Sequence, residues 1–370
     1  VCSVGGLLGR VEPDREVAAV DRAQAGEIRP QRERHTAAHR GHPAERAGHE
    51  EQGAGSDVSA TTTVASPNPD GSWSLSGDKW FCSNPDAGYA MVLARSEDTP
   101  GMGGISLFVL PRQLEDGTHN RYRILRLKDK LGTKSMASGE IFLDGATAYL
   151  VGDVNRGFKQ MMEQVNLSRL SHGVRAASMM RRCLNEALAA ARGRKAFGKA
   201  IAEYPLLRRQ LMKIMLPTEQ ALSMFAFSAD AMGKADGHDG KGGDKDAANL
   251  LRILTPVYKF RACRDNIPVA SQALEVRGGI GYIEEWVTAR LVRDAQIGTL
   301  WEGTSNINAL DVVRRAVGKS GGHKTLTAAL KTKLDTSGIN KGPASISVQK
   351  ASIAALPVKA DNPFGNIKHH

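Results

Sequence analysis

The sequence predicts a multi-domain α+β fold: a small β domain, built as a sandwich or barrel, followed by an antiparallel helical bundle. Short apolar segments separated by turn residues fill positions 58–150, which is typical of all-β domains. From Gly157 onward, apolar residues recur at three- and four-residue steps, the period of an amphipathic helix. The chain therefore divides into segments 1–50, 51–152, 153–319 and 320–370.

Segment 1–50 has an atypical composition. It contains eight arginines but no lysine, methionine, phenylalanine, tyrosine or tryptophan. With few large apolar side chains, the segment can bury only a small apolar area, too small to offset the conformational entropy lost on folding. We therefore expect this segment to be poorly ordered. His35, His39 and His42 have a spacing that a metal could use, but we predict no metal site in a segment without a core.

Segment 51–152 alternates between strand and turn signals. Residues 72–76 alternate in polarity after the turn Pro69-Asp70-Gly71, and the mostly apolar residues 89–94 and 105–110 predict buried strands. A further turn, Asp144-Gly145, follows the apolar residues of 141–143. These features predict the small β domain.

Segment 153–319 has the pattern of long helices. The periodicity predicts helices within 177–191 and over about 205–232, 246–277 and 304–317, with a flexible Gly/Asp/Lys-rich connection at 234–245. Long helices joined by short breaks are typical of an antiparallel bundle.

The net charge of +11 is concentrated near the end of the sequence, where residues 319–370 hold eight lysines and two aspartates. We expect 320–370 to be a solvated, flexible basic tail; an arm that binds a polyanion is the alternative. The four cysteines, Cys2, Cys82, Cys183 and Cys263, are widely spaced, which predicts reduced thiols rather than a disulfide framework. No apolar run approaches the roughly 20 residues of a membrane span, so we expect a cytoplasmic protein without a membrane partner.

Glu302 is a candidate general base. It follows the apolar residues 297–301 and precedes Gly303 and a potential helix cap, Thr304. A carboxylate among apolar groups has a raised proton affinity, which suits a base that works near neutral pH. On these residues alone, a non-catalytic acid at a helix start remains the alternative.

Six motifs occur in one order along the chain: Gly55-Ser56-Asp57, Lys79-Trp80-Phe81-Cys82-Ser83-Asn84, Asn166-Leu167-Ser168-Arg169, Arg194-Lys195-Ala196-Phe197-Gly198, Glu275-Val276-Arg277-Gly278-Gly279 and Trp301-Glu302-Gly303-Thr304. Together they resemble the acyl-CoA dehydrogenase family from about Glu51 to Lys319. The chain departs from the family pattern at four of these positions: Phe81 replaces Trp, Ser83 replaces Thr, Asn166 replaces Asp and Glu275 replaces Gln.

The resemblance implies that FAD is the cofactor and an acyl-CoA thioester the substrate. Glu302 would remove the α-proton, its backbone N–H would stabilise the enolate, and the β-hydrogen would leave as hydride to flavin N5. The resemblance assigns FAD binding to Gly55, Ser56, Phe81, Cys82, Ser83, Arg194, Phe197, Glu275, Gly278, Gly279, Thr304, Ser305 and Asn306. It assigns substrate binding to Ser56, Asn166, Arg169 and Gly303, and it implies no metal.

The residues 126–132 and the Trp301-Glu302-Gly303 motif are most similar to the family branch that contains a bacterial alkylation-response flavoprotein. Residues 1–50 are too few and too polar to form the family's N-terminal helical domain, so we expect that domain to be truncated or replaced and flavin retention to be weakened. The resemblance further implies a homo-oligomer, dimer or tetramer, and an electron-transfer flavoprotein as electron acceptor. A DNA-associated protective flavoprotein and a non-catalytic scaffold are the alternative functions.

Overall fold

The computed structural model describes Cys2–Ser3 and residues 55–337 except 239 and 241. The predictions for the remainder of 1–50, including His35, His39 and His42, and for 338–370 lie outside the described residues. The chain divides into two compact units: Val1–Lys130 with Lys134–Met162, and Leu131–Thr133 with Glu163–His370. We call them the β unit and the helical unit.

The described residues of the β unit form one sheet of seven strands that closes on itself. The strands are β1 (Cys2–Ser3), β2 (Val64–Pro67), β3 (Trp73–Ser83), β4 (Tyr89–Arg95), β5 (Ile105–Pro111), β6 (Tyr122–Leu127) and β7 (Ser138–Leu150). Their order is β1-β4-β2-β3-β7-β5, with β6 added on β7, and a further pairing of β4 with β5 closes the ring. Every pairing is antiparallel except a single parallel bridge between β2 and β4. The predicted small β domain is confirmed.

Alternating side chains of these strands fill the interior of the β unit. Leu75, Val92, Phe108 and Leu143 come from four different strands and are fully buried in one cluster. On β3 the neighbours of Leu75 are more exposed, as the two-residue period of a strand requires, whereas β5 is buried at Ser106 and Leu107 as well as at Phe108. Two short 3₁₀ turns, Val58–Ala60 and Gly101–Gly104, flank the strands.

The helical unit contains the long helices that the period predicted. They are α1 (Gly157–Gly193, of which the residues up to Met162 belong to the β unit), α2 (Pro205–Ala235), α3 (Lys245–Arg277), α4 (Val287–Gln296), α5 (Ser305–Asp311) and α6 (Gly322–Thr336). A two-stranded hairpin, β8 (Lys195–Ala196) and β9 (Lys199–Ala200), separates α1 from α2. Single 3₁₀ turns lie at Ile201–Glu203, Gly278–Tyr282 and Ile297–Thr299.

The core of the helical unit gathers around α3. Met180 and Leu184 of α1, Ile214 of α2, and Ala262 and Ala273 of α3 belong to one buried cluster. A Cβ atom at Gly173 of α1 would come within 2.5 Å of the Tyr258 ring. The glycine therefore permits the close approach of α1 and α3.

Two predictions for the end of the helical unit need correction. The helix predicted over 304–317 is α-helical only to Asp311 and continues as a π-helix, Val312–Val317. The flexible segment predicted from residue 320 begins instead with α6, whose Leu326 and Ala329 pack against Leu250 and Leu254. The lysine-rich composition concealed an apolar face at three-residue spacing. Among the described residues, none of the helices combines the length and apolar character needed to cross a membrane.

Candidate active site

Glu302 occupies a tight turn between the 3₁₀ turn Ile297–Thr299 and helix α5. Its φ angle is 54° and that of Gly303 is 92°, so two successive residues lie at positive φ. Positive φ is unfavourable for a residue with a Cβ atom, so the surroundings must hold Glu302 in place. At position 303 any other residue would be strained at this φ, and its Cβ atom would lie 2.9 Å from Cγ2 of Ile307.

The carboxyl group of Glu302 is half-buried and bonded to one hydroxyl. Oγ of Ser168, on α1, donates to Glu302 Oε1 at 3.1 Å. Burial is the largest influence on the Glu302 carboxyl and raises its pKa, while the Ser168 hydrogen bond and the charges of Arg169 and Lys259 act to lower it. The result is a carboxyl with raised proton affinity, as predicted from the apolar residues before it. Such a group can accept a proton near neutral pH.

The backbone carbonyls of the same turn are held by buried donors. Nε of Arg169 donates to the Glu302 carbonyl at 3.0 Å. Nζ of Lys259 and Nδ2 of Asn308 donate to the Gly303 carbonyl at 2.6 and 2.7 Å. These bonds come from α1, α3 and α5, so three helices fix the conformation of the turn.

The side chain of Arg169 contacts other groups of the protein. It was expected to bind the CoA part of the substrate, but it is only 4% exposed and bonds the Glu302 carbonyl and, at 2.9 Å, Asp311. Asp311 also pairs with Arg252 at 2.6 Å. The guanidinium of Arg169 is thus committed inside the helical unit. Asn166, the other predicted substrate ligand of this motif, accepts a weak 3.4 Å bond from Arg169.

The residue before the base is fixed by stacking. The Trp301 ring lies 4.3 Å from that of His172, almost parallel to it, and the Arg175 guanidinium lies 4.7 Å from the Trp301 ring. Burial and the nearby charge of Arg175 lower the pKa of His172 to about 3, so this imidazole is neutral. The stack immobilises the N-terminal side of the Glu302 turn.

The three residues that follow Gly303 line a groove of about 750 Å³. Thr304, Ser305 and Asn306, all predicted FAD ligands, share it with Arg261 and Arg264 of α3. Nη1 of Arg264 donates to Ser305 Oγ at 3.2 Å, and Arg261 pairs with Asp265 at 2.7 Å. Two guanidinium groups beside hydroxyl and amide side chains suit a ligand that carries phosphate, as FAD does.

Two further predicted motifs meet within the helical unit. Arg194 is exposed at the end of α1, and a Cβ atom at Gly278 would lie 2.7 Å from its Nη1. Phe197, at the tip of the β8–β9 hairpin, has φ 51° and is 95% exposed. Glu275 accepts a 2.9 Å bond from Gln210 in a second groove of about 350 Å³. Gly279 is exposed beside Gly278.

The remaining predicted ligands lie in the β unit. Phe81 and Ser83 are both exposed on the same face of β3, and the Lys128 ammonium lies 4.6 Å from the Phe81 ring centre. Cys82 points the opposite way: its side chain is fully buried in the core, so only its main chain could contact a flavin. Gly55 and Ser56 are exposed. An outward-facing aromatic ring beside a hydroxyl suits a flat aromatic ligand.

Sequence reasoning missed the side chains that hold the Glu302 turn. Ser168 was quoted within a motif but given no role, and Lys259, Asn308 and Asp311 were not singled out. Lys259 carried one usable signal, since apolar Tyr258, Phe260 and Ala262 surround it on a predicted helix of the bundle. Charged residues in such a position are rarely fully buried without a specific partner.

Comparisons with known proteins agree with this geometry. Residues 47–146 match the family described as acyl-CoA dehydrogenase, middle domain, and residues 155–317 match acyl-CoA dehydrogenase, C-terminal domain. Putative acyl-CoA dehydrogenase AidB of Escherichia coli is 36% identical over 75% of this chain and 49% of its own. Acyl-CoA dehydrogenase family member 11 of Caenorhabditis elegans is 33% identical over 84% of this chain and 52% of its own.

A solved structure shows a similarity to the same family. The crystal structure of Caenorhabditis elegans ACDH-11 in complex with C11-CoA superposes with a TM-score of 0.75 at 32% identity, covering 81% of this chain and 52% of that one. The chain thus spans about half the length of the curated relatives it matches.

Proposed function

Because the chain belongs to the acyl-CoA dehydrogenase family, a family of FAD-dependent flavoproteins, we propose that it takes part in the α,β-dehydrogenation of an acyl-CoA thioester with Glu302 as the base. The single observation that carries this proposal is the half-buried Glu302 carboxyl, whose pKa burial raises, on a turn fixed by three helices. A base needs both a suitable proton affinity and a fixed position.

The α-hydrogen beside a thioester is acidic enough for a carboxylate to remove, provided that the carbonyl oxygen is stabilised as it gains charge. In this proposal Glu302 takes that proton on its carboxylate, and the fixed turn directs its backbone N–H toward the thioester oxygen. FAD, when bound, supplies the acceptor for the β-hydrogen, which leaves as hydride. The groove residues Thr304, Ser305, Asn306, Arg261 and Arg264 would bind its phosphate-bearing part.

Phe81 and Ser83 would contact the flavin ring, and Arg194, Phe197, Glu275, Gly278 and Gly279 would complete its binding through a homo-oligomer. Gly55 and Ser56 would also contact FAD, and Ser56, Asn166 and Gly303 remain the proposed substrate-side residues. An electron-transfer flavoprotein is the proposed electron acceptor. These assignments are supported by the similarity to relatives about half of whose length this chain covers. They are proposals for the assembled enzyme.

The experiment is an absorbance spectrum of the FAD-reconstituted protein under anaerobic conditions, before and after addition of short, branched and long acyl-CoAs. Bleaching of the oxidised flavin band by one class, abolished in Glu302→Gln while FAD stays bound, is the expected result. No bleaching by any acyl-CoA, together with steeply salt-dependent binding of duplex DNA, would instead favour the DNA-associated alternative. A folded protein with neither property would favour a scaffold.

A further inference from the structure

Lys259 is a buried cation whose hydrogen bond goes to a backbone oxygen. It is 1% exposed, and its Nζ donates to the Gly303 carbonyl at 2.6 Å. Burial, the largest influence, and the charge of Arg169 lower the pKa of Lys259, while Cys263 and the charge of Glu302 act to raise it. Burying an ammonium group costs free energy unless hydrogen bonds and nearby charges compensate it, so the contacts of Lys259 indicate its role.

The turn that Lys259 contacts needs external support. Glu302 at φ 54° and Gly303 at φ 92° form two successive positive-φ residues. Arg169 bonds the carbonyl of Glu302, whereas Lys259 and Asn308 bond that of Gly303. Of these three donors, Asn308 is neutral and Arg169 shares its charge with Asp311. Among the described residues, no carboxylate lies within ion-pair distance of Lys259.

We propose that Lys259 is a positioning residue for the base: its ammonium group fixes the Gly303 carbonyl, and its charge acts on the Glu302 carboxylate. This inference rests on the proposed function of Glu302. Lys259 touches neither substrate nor cofactor in this account. It acts through the turn of Glu302 and Gly303. Asn308 bonds the same carbonyl as Lys259 but carries no charge, so the charge distinguishes the two residues.

The other groups around Glu302 are fixed, so the effect of Lys259 can be separated from theirs. Ser168 and Arg169 of α1 contact Glu302 directly. Asp311 of α5 pairs with Arg169 and also with Arg252 of α3. His172 and Arg175 of α1 stack on Trp301, and the imidazole is neutral. Removing the Lys259 charge therefore leaves Arg169 as the cation next to the carboxylate.

The test is a titration of the Glu302 carboxyl by ¹³C NMR on the full chain labelled at glutamate, with the resonance assigned by its loss in Glu302→Gln. Lys259→Met removes both bond and charge. Asn308→Leu removes a bond to the same carbonyl but no charge, and Lys319→Met removes an exposed lysine charge of the same unit. This readout needs neither bound FAD nor turnover.

We expect the Glu302 titration midpoint to move to higher pH in Lys259→Met and to stay unchanged in the two controls, because only the first variant removes a buried positive charge. An unchanged midpoint in Lys259→Met, or an equal shift in Asn308→Leu, would overturn the proposal. If near-UV circular dichroism shows Lys259→Met to be misfolded, Lys259→Gln, which keeps a donor, is titrated with the same criteria.

In the FAD-reconstituted protein, Lys259→Met should lower the rate constant of flavin bleaching by about tenfold to a hundredfold, the equivalent of one charge-assisted hydrogen bond, while the half-saturating acyl-CoA concentration stays constant. A change in half-saturation alone would contradict a positioning role. If the wild-type protein is not bleached, the proposed function fails, yet the titration still decides the role of Lys259.

Discussion

The hydroxyl of Ser168 donates a 3.1 Å hydrogen bond to Oε1 of Glu302, and the two residues are 134 positions apart in the sequence. This bond favours the ionised carboxylate and partly offsets the effect of burial on the pKa of Glu302. In the proposed function, this bond therefore helps to set the pH range in which Glu302 can act as a base.

Replacing Ser168 with alanine should raise the pKa of Glu302 further, because the ionised form loses a donor. A hydrogen bond to a charged group contributes about 1.5–3 kcal/mol, so we expect the alkaline shift to be readily measured in the pH dependence of flavin bleaching. Ser178→Ala is the matched control, since that serine lies on the same helix and donates to the Val174 carbonyl. A shift of equal size in the control would refute the assignment.

Replacing Glu302 with glutamine should stabilise the fold at neutral pH. Burial raises the folded-state pKa of Glu302, so the folded state holds its proton more tightly than the unfolded state, and stability falls as pH rises through that window. The glutamine variant lacks this loss. Its advantage in the free energy of unfolding, measured with urea, should shrink as pH falls and vanish below the ordinary value of 4.5. A wild-type protein that is more stable than the variant at pH 7 would contradict this.

Asp311 should be among the most sensitive positions for stability. Its carboxylate is 7% exposed and balances Arg169 and Arg252. Asp311→Ala would leave two cations without their partner, at a cost of about 3–5 kcal/mol in the free energy of unfolding. Asp153→Ala, which breaks the exposed pair with Arg156, should cost at most about 1 kcal/mol. Urea denaturation of both variants checks the difference, and equal losses would be inconsistent with a buried network.

Gly303→Ala should destabilise more than Gly71→Ala. Both glycines have positive φ, at 92° and 85°, so both alanine variants bear the left-handed strain of about 1–2 kcal/mol. Only at position 303 does the new Cβ atom also meet a neighbour, Ile307 Cγ2 at 2.9 Å, whereas nothing lies within 4 Å at Gly71. Thermal unfolding of the two variants measures the extra cost, and the double variant Gly303→Ala with Ile307→Ala should recover part of it.

The order of the two domains and the shielding of the Glu302 carboxyl from solvent could be predicted from the sequence because both depend on local patterns. Strand alternation and helical period are properties of neighbouring residues, and the apolar residues before Glu302 already imply a shielded carboxyl. The sequence also predicted roles for Arg194 and Gly278, which the structure brings into contact although no pattern links them.

The sequence could not predict the hydrogen bonds and ion pairs between residues that lie far apart along the chain. Arg169 was assigned to the substrate by resemblance to a family motif, and nothing local in the sequence shows that its guanidinium pairs with Asp311. Lys259 was overlooked because nothing local shows that its ammonium group reaches the Gly303 carbonyl. Helix α6 was missed because lysine content outweighed the weak apolar face of Leu326 and Ala329.

The most direct test of the central claim, that Glu302 removes the α-proton, is a kinetic isotope effect on flavin bleaching with an acyl-CoA that carries deuterium at the α-carbon. The FAD-reconstituted protein should bleach several-fold more slowly with the deuterated substrate than with the ordinary one, and Glu302→Gln should not bleach with either. Equal rates with the two substrates, or bleaching by Glu302→Gln at the wild-type rate, would contradict the account.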